Sequence, residues 1–139
     1  MAESDRSLTV GVTDERRSSA AARISTEVVR LVATYTGRGP TKARTTLNTN
    51  LAVVVLQDTL TRGEQNLVAA GEAQAVESTR RTFHDLMRPE AKKIVTAVLN
   101  REVVSCLAAI DPDEGIAALV FVLEPHPEDG RVGVAEDEE

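Results

Sequence analysis

The sequence predicts an α+β domain in the order helix, hairpin, helix or helices, hairpin, with a four-stranded, mostly antiparallel sheet and helices packed on one face. Three observations predict it. Apolar residues recur at helical spacing between Ile24 and Tyr35. Two pairs of β-rich runs each flank a short turn. Between the pairs the helical spacing returns, which favours helices stacked on a sheet in two layers. The 139 residues leave room for one domain, expected over 18–124, with disordered tails at 1–17 and 125–139.

The elements follow in order. Ser18 or Ser19 is the expected cap of a first helix whose Ile24, Val28, Leu31, Val32 and Tyr35 share one face. Gly37 is expected to end it in the left-handed conformation, and Pro40 prevents its resumption. Lys42 to Leu47 is rich in threonine and Leu51 to Leu56 is wholly apolar. The Asn48-Thr49-Asn50 turn between them makes a hairpin, and the second strand, apolar at both parities, suits burial on both faces or a central place in the sheet. Thr61 and Glu64 form a capping-box pattern for a helix carrying Leu67 and Val68 and breaking near Gly71. A longer helix carries Val76, Phe83, Met87, Ile94 and Val98 on one stripe, with Pro89 either kinking it or opening a new helix. Val103 to Ile110 and Ile116 to Leu123, joined by Asp111-Pro112-Asp113-Glu114-Gly115, form the second hairpin. The repeated helix-plus-hairpin order suggests a loose duplication, and sheet surface left uncovered by the helices favours a homodimer.

Composition excludes several classes. The net charge of −6 belongs to the ends: residues 23–124 hold equal numbers of basic and acidic side chains, whereas 125–139 hold one basic and six acidic ones. A neutral core lacks the basic face that DNA binding needs, and three aromatics, Tyr35, Phe83 and Phe121, offer little for stacking bases. The longest apolar run, Leu51 to Leu56, is far short of the roughly 20 residues that span a bilayer. The N-terminus has no signal-peptide pattern, and the single cysteine fits a reducing, cytoplasmic setting.

Chemistry concentrates in one loop. Gly37, Arg38, Gly39, Pro40, Thr41, Lys42 and Arg44 combine two glycines, a threonine and three cations within eight residues, enough to cradle an anion with backbone amides and guanidinium groups. The order helix-to-strand, with no glycine before the lysine, excludes a Walker A loop, and a dinucleotide fingerprint must follow a strand. The competing reading is a turn whose cations are solvated or paired. Arg80 and Arg81 are secondary candidates if their helix passes beneath the loop; a solvated helix face, with Arg81 paired to Asp85, is the alternative. Cys106 reads as a buried thiol, His84 and His126 have no partners at ligand spacing, and no metal, cofactor or catalytic set emerges.

The segments YTGRGPTKART, VVVLQDTLT, TRRTFHDLMRPE and a closing hairpin that ends in FVLEP resemble the MpsC-like family. This bacterial family, formerly a domain of unknown function, is named for the third component of a sodium-translocating, membrane-potential-generating system. The likeness runs from about Arg23 to Pro125, and its most specific pieces are GRGPTKAR and Leu56-Gln57-Asp58-Thr59-Leu60-Thr61. It implies a non-enzymatic, soluble accessory protein linked through protein partners to cation-coupled transport or inorganic-carbon supply. It brings no catalytic residues and places the family's motif on the cationic loop. A small-anion or nucleotide sensor using that loop is the alternative.

Overall fold

The computed structural model describes residues 3–125, with side chains described from Glu15 onward. Helix α1 (Glu3–Thr36) begins well before the expected Ser18 or Ser19 cap. No proline interrupts residues 3–36 and Ala20 to Ala22 are strong helix formers, so neither serine is obliged to cap. Residues 3–17 are thus helical rather than a tail outside the first element. The acidic segment from residue 126, with His126, lies outside the described residues.

The stretch of α1 from Ile24 to Val32 reaches the core. Ile24, Val28 and Val32 are buried one turn apart, while Tyr35 at the end of the stripe emerges. Gly37, at φ +85°, closes the helix by donating its N–H to the Ala33 carbonyl at 2.8 Å. Strands β1 (Lys42–Leu47), β2 (Leu51–Gln57), β3 (Val103–Asp111) and β4 (Ile116–Leu123) form one antiparallel sheet in the order β1-β2-β4-β3. The apolar strands β2 and β4 therefore occupy the centre, and the more polar β1 and β3 are edges.

Helices α1 and α3 (Ala73–Leu99) cover one face of this sheet. Ala52, Val54 and Leu56 of β2, with Ala117, Leu119, Phe121 and Leu123 of β4, pack beneath Ile24, Val28, Val32, Met87, Ala91 and Val95. The Ser25 and Thr45 hydroxyls meet at 2.7 Å and tie α1 to the edge strand β1. The other face has no element over it among the described residues. Of the two alternatives for β2, the central position holds: its helix side is fully buried and its other side only partly.

Helix α2 (Arg62–Ala69) starts in the expected capping box. The Glu64 N–H donates to the Thr61 hydroxyl at 3.1 Å, and the Thr61 N–H donates to the Glu64 carboxylate at 2.8 Å. Gly71, at φ +83°, separates it from α3. Helix α3 runs unbroken through Pro89, so that proline opens no new helix. Its buried stripe is Val76, Arg80, His84, Met87, Ala91 and Val95, whereas Phe83, Ile94 and Val98 lie at its margin. Val76 and Met87 lie on the stripe as expected, but Arg80 and His84, two ionisable side chains, hold core positions that apolar spacing alone does not mark. None of the helices is long and apolar enough to cross a membrane among the described residues.

Candidate functional site

The segments singled out by their residues meet at one end of the sheet, where the chain leaves β2. There Asp58 takes the left-handed conformation, φ +56°, and turns the chain toward α2. From outside, the Arg38 guanidinium donates to the Asp58 carbonyl at 2.7 Å, the Leu60 carbonyl at 2.9 Å and the Asp58 carboxylate at 2.9 Å. The Thr41 hydroxyl donates to the same carboxylate at 3.0 Å. From inside, Arg80 donates to the Thr59 carbonyl and grips both oxygens of Glu64, at 2.8 and 2.7 Å. The Thr59 N–H and hydroxyl both donate to the Gly115 carbonyl, at 3.1 and 3.2 Å, binding this crossing to the β3–β4 turn. Three consecutive carbonyls, at 58, 59 and 60, are thus satisfied by two arginines from opposite sides.

The loop's sequence fits this task. Gly37 supplies positive φ. Gly39 lies so close to α1 that a Cβ there would stand 3.2 Å from Val29 Cγ1 and 3.4 Å from Ala33 Cβ. Pro40 is buried beside it. Together these residues aim Arg38 across the gap at Asp58.

The electrostatics agree. Hydrogen bonds from Arg38, then Thr41, hold the Asp58 carboxyl below the usual aspartate value. Burial raises the Glu64 carboxyl, but the Arg80 guanidinium and the Thr61 N–H outweigh that and hold it below the usual value. Beside this pair, burial and the charges of Arg80 and Arg88 push the His84 imidazole down against a weaker pull from Asp85, which keeps it neutral at pH 7. Burial also lifts the Cys106 thiol above its ordinary value, against the nearby Arg88 and Lys92 charges. His84 and Cys106 line a common cavity of only 10 Å³. So small a space leaves no room for a ligand between them.

The candidate residues therefore separate. Arg38 and Thr41 are engaged with Asp58, and Gly37, Gly39 and Pro40 shape the loop. Lys42 and Arg44 stand apart: both are exposed on the uncovered side of β1, with no carboxylate paired to either among the described residues. With Thr41, Ala43, Val55 and Gln57 they line an open depression of about 420 Å³. Arg80 is not on a solvated face; it is 1% exposed. Arg81 is exposed as expected but pairs with Glu77 at 3.1 Å, while Asp85 pairs with Arg88 at 3.0 Å. Sequence reasoning passed over Glu64 as a partner and Thr59 as a hub. The available signal was Arg80 itself, four residues from Val76 and seven from Met87, within the helix's buried spacing. No group of three or more His, Cys, Asp or Glu side chains able to hold a metal occurs among the described residues.

A family model described as the Na+-translocating membrane potential-generating system (MpsC) matches residues 16–125. No curated protein and no solved structure matches the chain.

Proposed function

From the premise that this chain belongs to the MpsC family, we propose that it is a non-enzymatic accessory protein, acting in the cytoplasm through protein partners in a membrane-potential-generating, cation-coupled transport system. The single observation that carries this reading is the family match over most of the folded chain. It is supported by the use to which the most specific segments are put. Arg38, Thr41, Asp58, Thr59, Glu64 and Arg80 hold backbone to backbone rather than facing a common void. Such residues fix the shape of a surface, and a protein that works by shape works on a partner. Self-association belongs to the same reading.

The test pairs two measurements. A strain lacking the protein should show an altered membrane potential with a potential-sensitive dye. The tagged protein should retain a component of the transport system from solubilised membranes. An unaltered potential together with no retained transport component would overturn the reading.

One observation favours a second reading, a small-anion or nucleotide sensor. Lys42 and Arg44, unpaired by carboxylates among the described residues, border the 420 Å³ depression, whose rim includes Thr41. A ligand there at a hundredfold excess over Kd should stabilise the fold by about 2.7 kcal/mol. A thermal-shift panel of phosphate, bicarbonate and nucleotides, repeated on Lys42→Ala/Arg44→Ala, tests it. A flat response in the unsubstituted protein eliminates it.

A further inference from the structure

The uncovered side of the sheet is unusual for an antiparallel sheet with one free face, which ordinarily alternates apolar inside and polar outside. Along β4 every residue on that side is apolar: Ile116, Ala118, Val120 and Val122. Along β2 it presents Leu51, Val53 and Val55 before Gln57. On the edge strand β3 it carries Leu107, 57% exposed. Helices lie on the opposite side, so nothing within the described chain covers this surface.

The charges on the face are placed unevenly, and the strand register fixes where. Lys42 pairs with Gln57, whose neighbour Leu56 pairs with Ala117, and Ile116 pairs with Asp111. Lys42, Gln57, Ile116 and Asp111 therefore form one row across the sheet, with a cation at the β1 edge and an anion at the β3 edge. Arg44 stands one step along β1 on the same side. Asp113 and Glu114 extend the anionic end into the β3–β4 turn. The middle of the face, Val53, Val55, Ala118 and Val120, is uncharged.

We propose that two copies of this chain pack face to face through this side of the sheet, about a two-fold axis running parallel to the strands between β2 and β4. That axis lays the β1 edge of each copy over the β3 edge of the other at the same height. Lys42 then faces Asp111 of the second copy, and Arg44 lies beside it. Val53 meets Val120 across the axis. The axis perpendicular to the strands, within the interface plane, would lay β1 over β1 and put Asp111 over an apolar row, leaving both charges unmatched. Only the first arrangement pairs the edges and remains isologous, as a closed dimer requires.

Size fits a reversible dimer. Four strands about 4.8 Å apart and about seven residues long cover roughly 450 Å² per copy. Roughly 900 Å² for the pair, before side-chain relief is counted, is near the lower limit of about 1,000 Å² for a specific interface. The inference rests on the self-association named above and supplies its surface.

The experiment is sedimentation equilibrium of the full chain from about 1 µM to about 1 mM, where interfaces of this size dissociate. The unsubstituted protein should pass from 14.9 kDa to twice that mass. Leu107→Lys and Val120→Lys should remain monomeric with circular-dichroism spectra unchanged; since Leu107 is exposed in the single chain, its replacement leaves the fold intact. Lys42→Glu should weaken dimerisation at least tenfold, and Lys42→Glu/Asp111→Lys should recover it. A monomer throughout, or a dimer indifferent to Leu107→Lys, would overturn the proposal. So would a dimer lost on Leu107→Lys but indifferent to Lys42→Glu. Retention of a transport component by the monomeric Leu107→Lys variant keeps a failure of the dimer separate from a failure of the accessory role.

Discussion

Replacing Arg80 by methionine removes the inner clamp while keeping most of the buried aliphatic volume. Two contacts to Glu64, at 2.8 and 2.7 Å, and one to the Thr59 carbonyl are lost. The Glu64 carboxylate, 13% exposed, keeps the Thr61 N–H but no countercharge. Breaking one side of a buried pair costs about 3–5 kcal/mol, and the residual exposure of Glu64 favours the lower end, about 3 kcal/mol. Across the described residues 3–125, at about 2.1 cal/mol/K per residue, that is a fall in Tm of about 12 °C. Glu64→Gln should cost a similar amount, because it strands the guanidinium inside while its amide oxygen still accepts the Thr61 N–H. Arg80→Met/Glu64→Gln removes both charges and should cost about 1–3 kcal/mol less than the two singles added together. Urea denaturation of the four proteins at pH 7 measures all three quantities. Singles that add to within about 0.5 kcal/mol would show the pair to be uncoupled and refute the reasoning.

Other predictions concern pH, the loop and the helix. His84 titrates in the folded state below its unfolded value of 6.5, so its contribution is complete above that pH and is lost as pH falls through the depressed value. The urea midpoint should decline between pH 7 and 5, and His84→Gln should flatten that decline; an equal slope in the variant removes His84 as its source. Gly39→Ala crowds Val29 and should cost about 1 kcal/mol. Gly37→Ala meets no atom but forces φ +85° on alanine, again costing about 1 kcal/mol. Val29→Ala should relieve the first cost and not the second, measured by thermal melts of the double variants. Pro89→Ala restores a helix donor at an exposed position of α3 and should stabilise the fold by up to about 3 kcal/mol. A fall in Tm would mean that the proline ring itself is required for packing.

Strand positions were legible because their signals are local. Threonines, valines and turn residues mark both hairpins to within a residue, and the capping box marks the start of α2. The start of α1 was not legible, since a serine permits a cap without compelling one. The stripe of α3 was legible at Val76 and Met87 and not at Arg80, because hydrophobicity alone is blind to an arginine whose charge is matched inside. Arg80 looks solvent-bound until Glu64, sixteen residues away, is folded against it. The same holds for the cationic loop. Its composition drew attention to Gly37 through Arg44, but whether Arg38 faces a ligand or Asp58 depends on a contact twenty residues distant. Spacing reveals periodic elements; long-range pairing decides what their charged residues do.

The strand order also constrains how the chain comes to be folded during synthesis. Each hairpin closes from neighbouring sequence, but β2 pairs along its inner edge with β4, more than 60 positions later. At about 5–20 residues per second, the LAVVVL strand waits roughly 3–13 s with one edge unpaired while the ribosome makes α2, α3 and the second hairpin. Three valines in succession make that edge prone to pairing with another nascent chain. During the wait, its neighbour β1 holds Lys42 and Arg44 on the exposed side. Like charges on two such hairpins repel, so the cations beside the sheet's stickiest strand also guard it before β4 arrives.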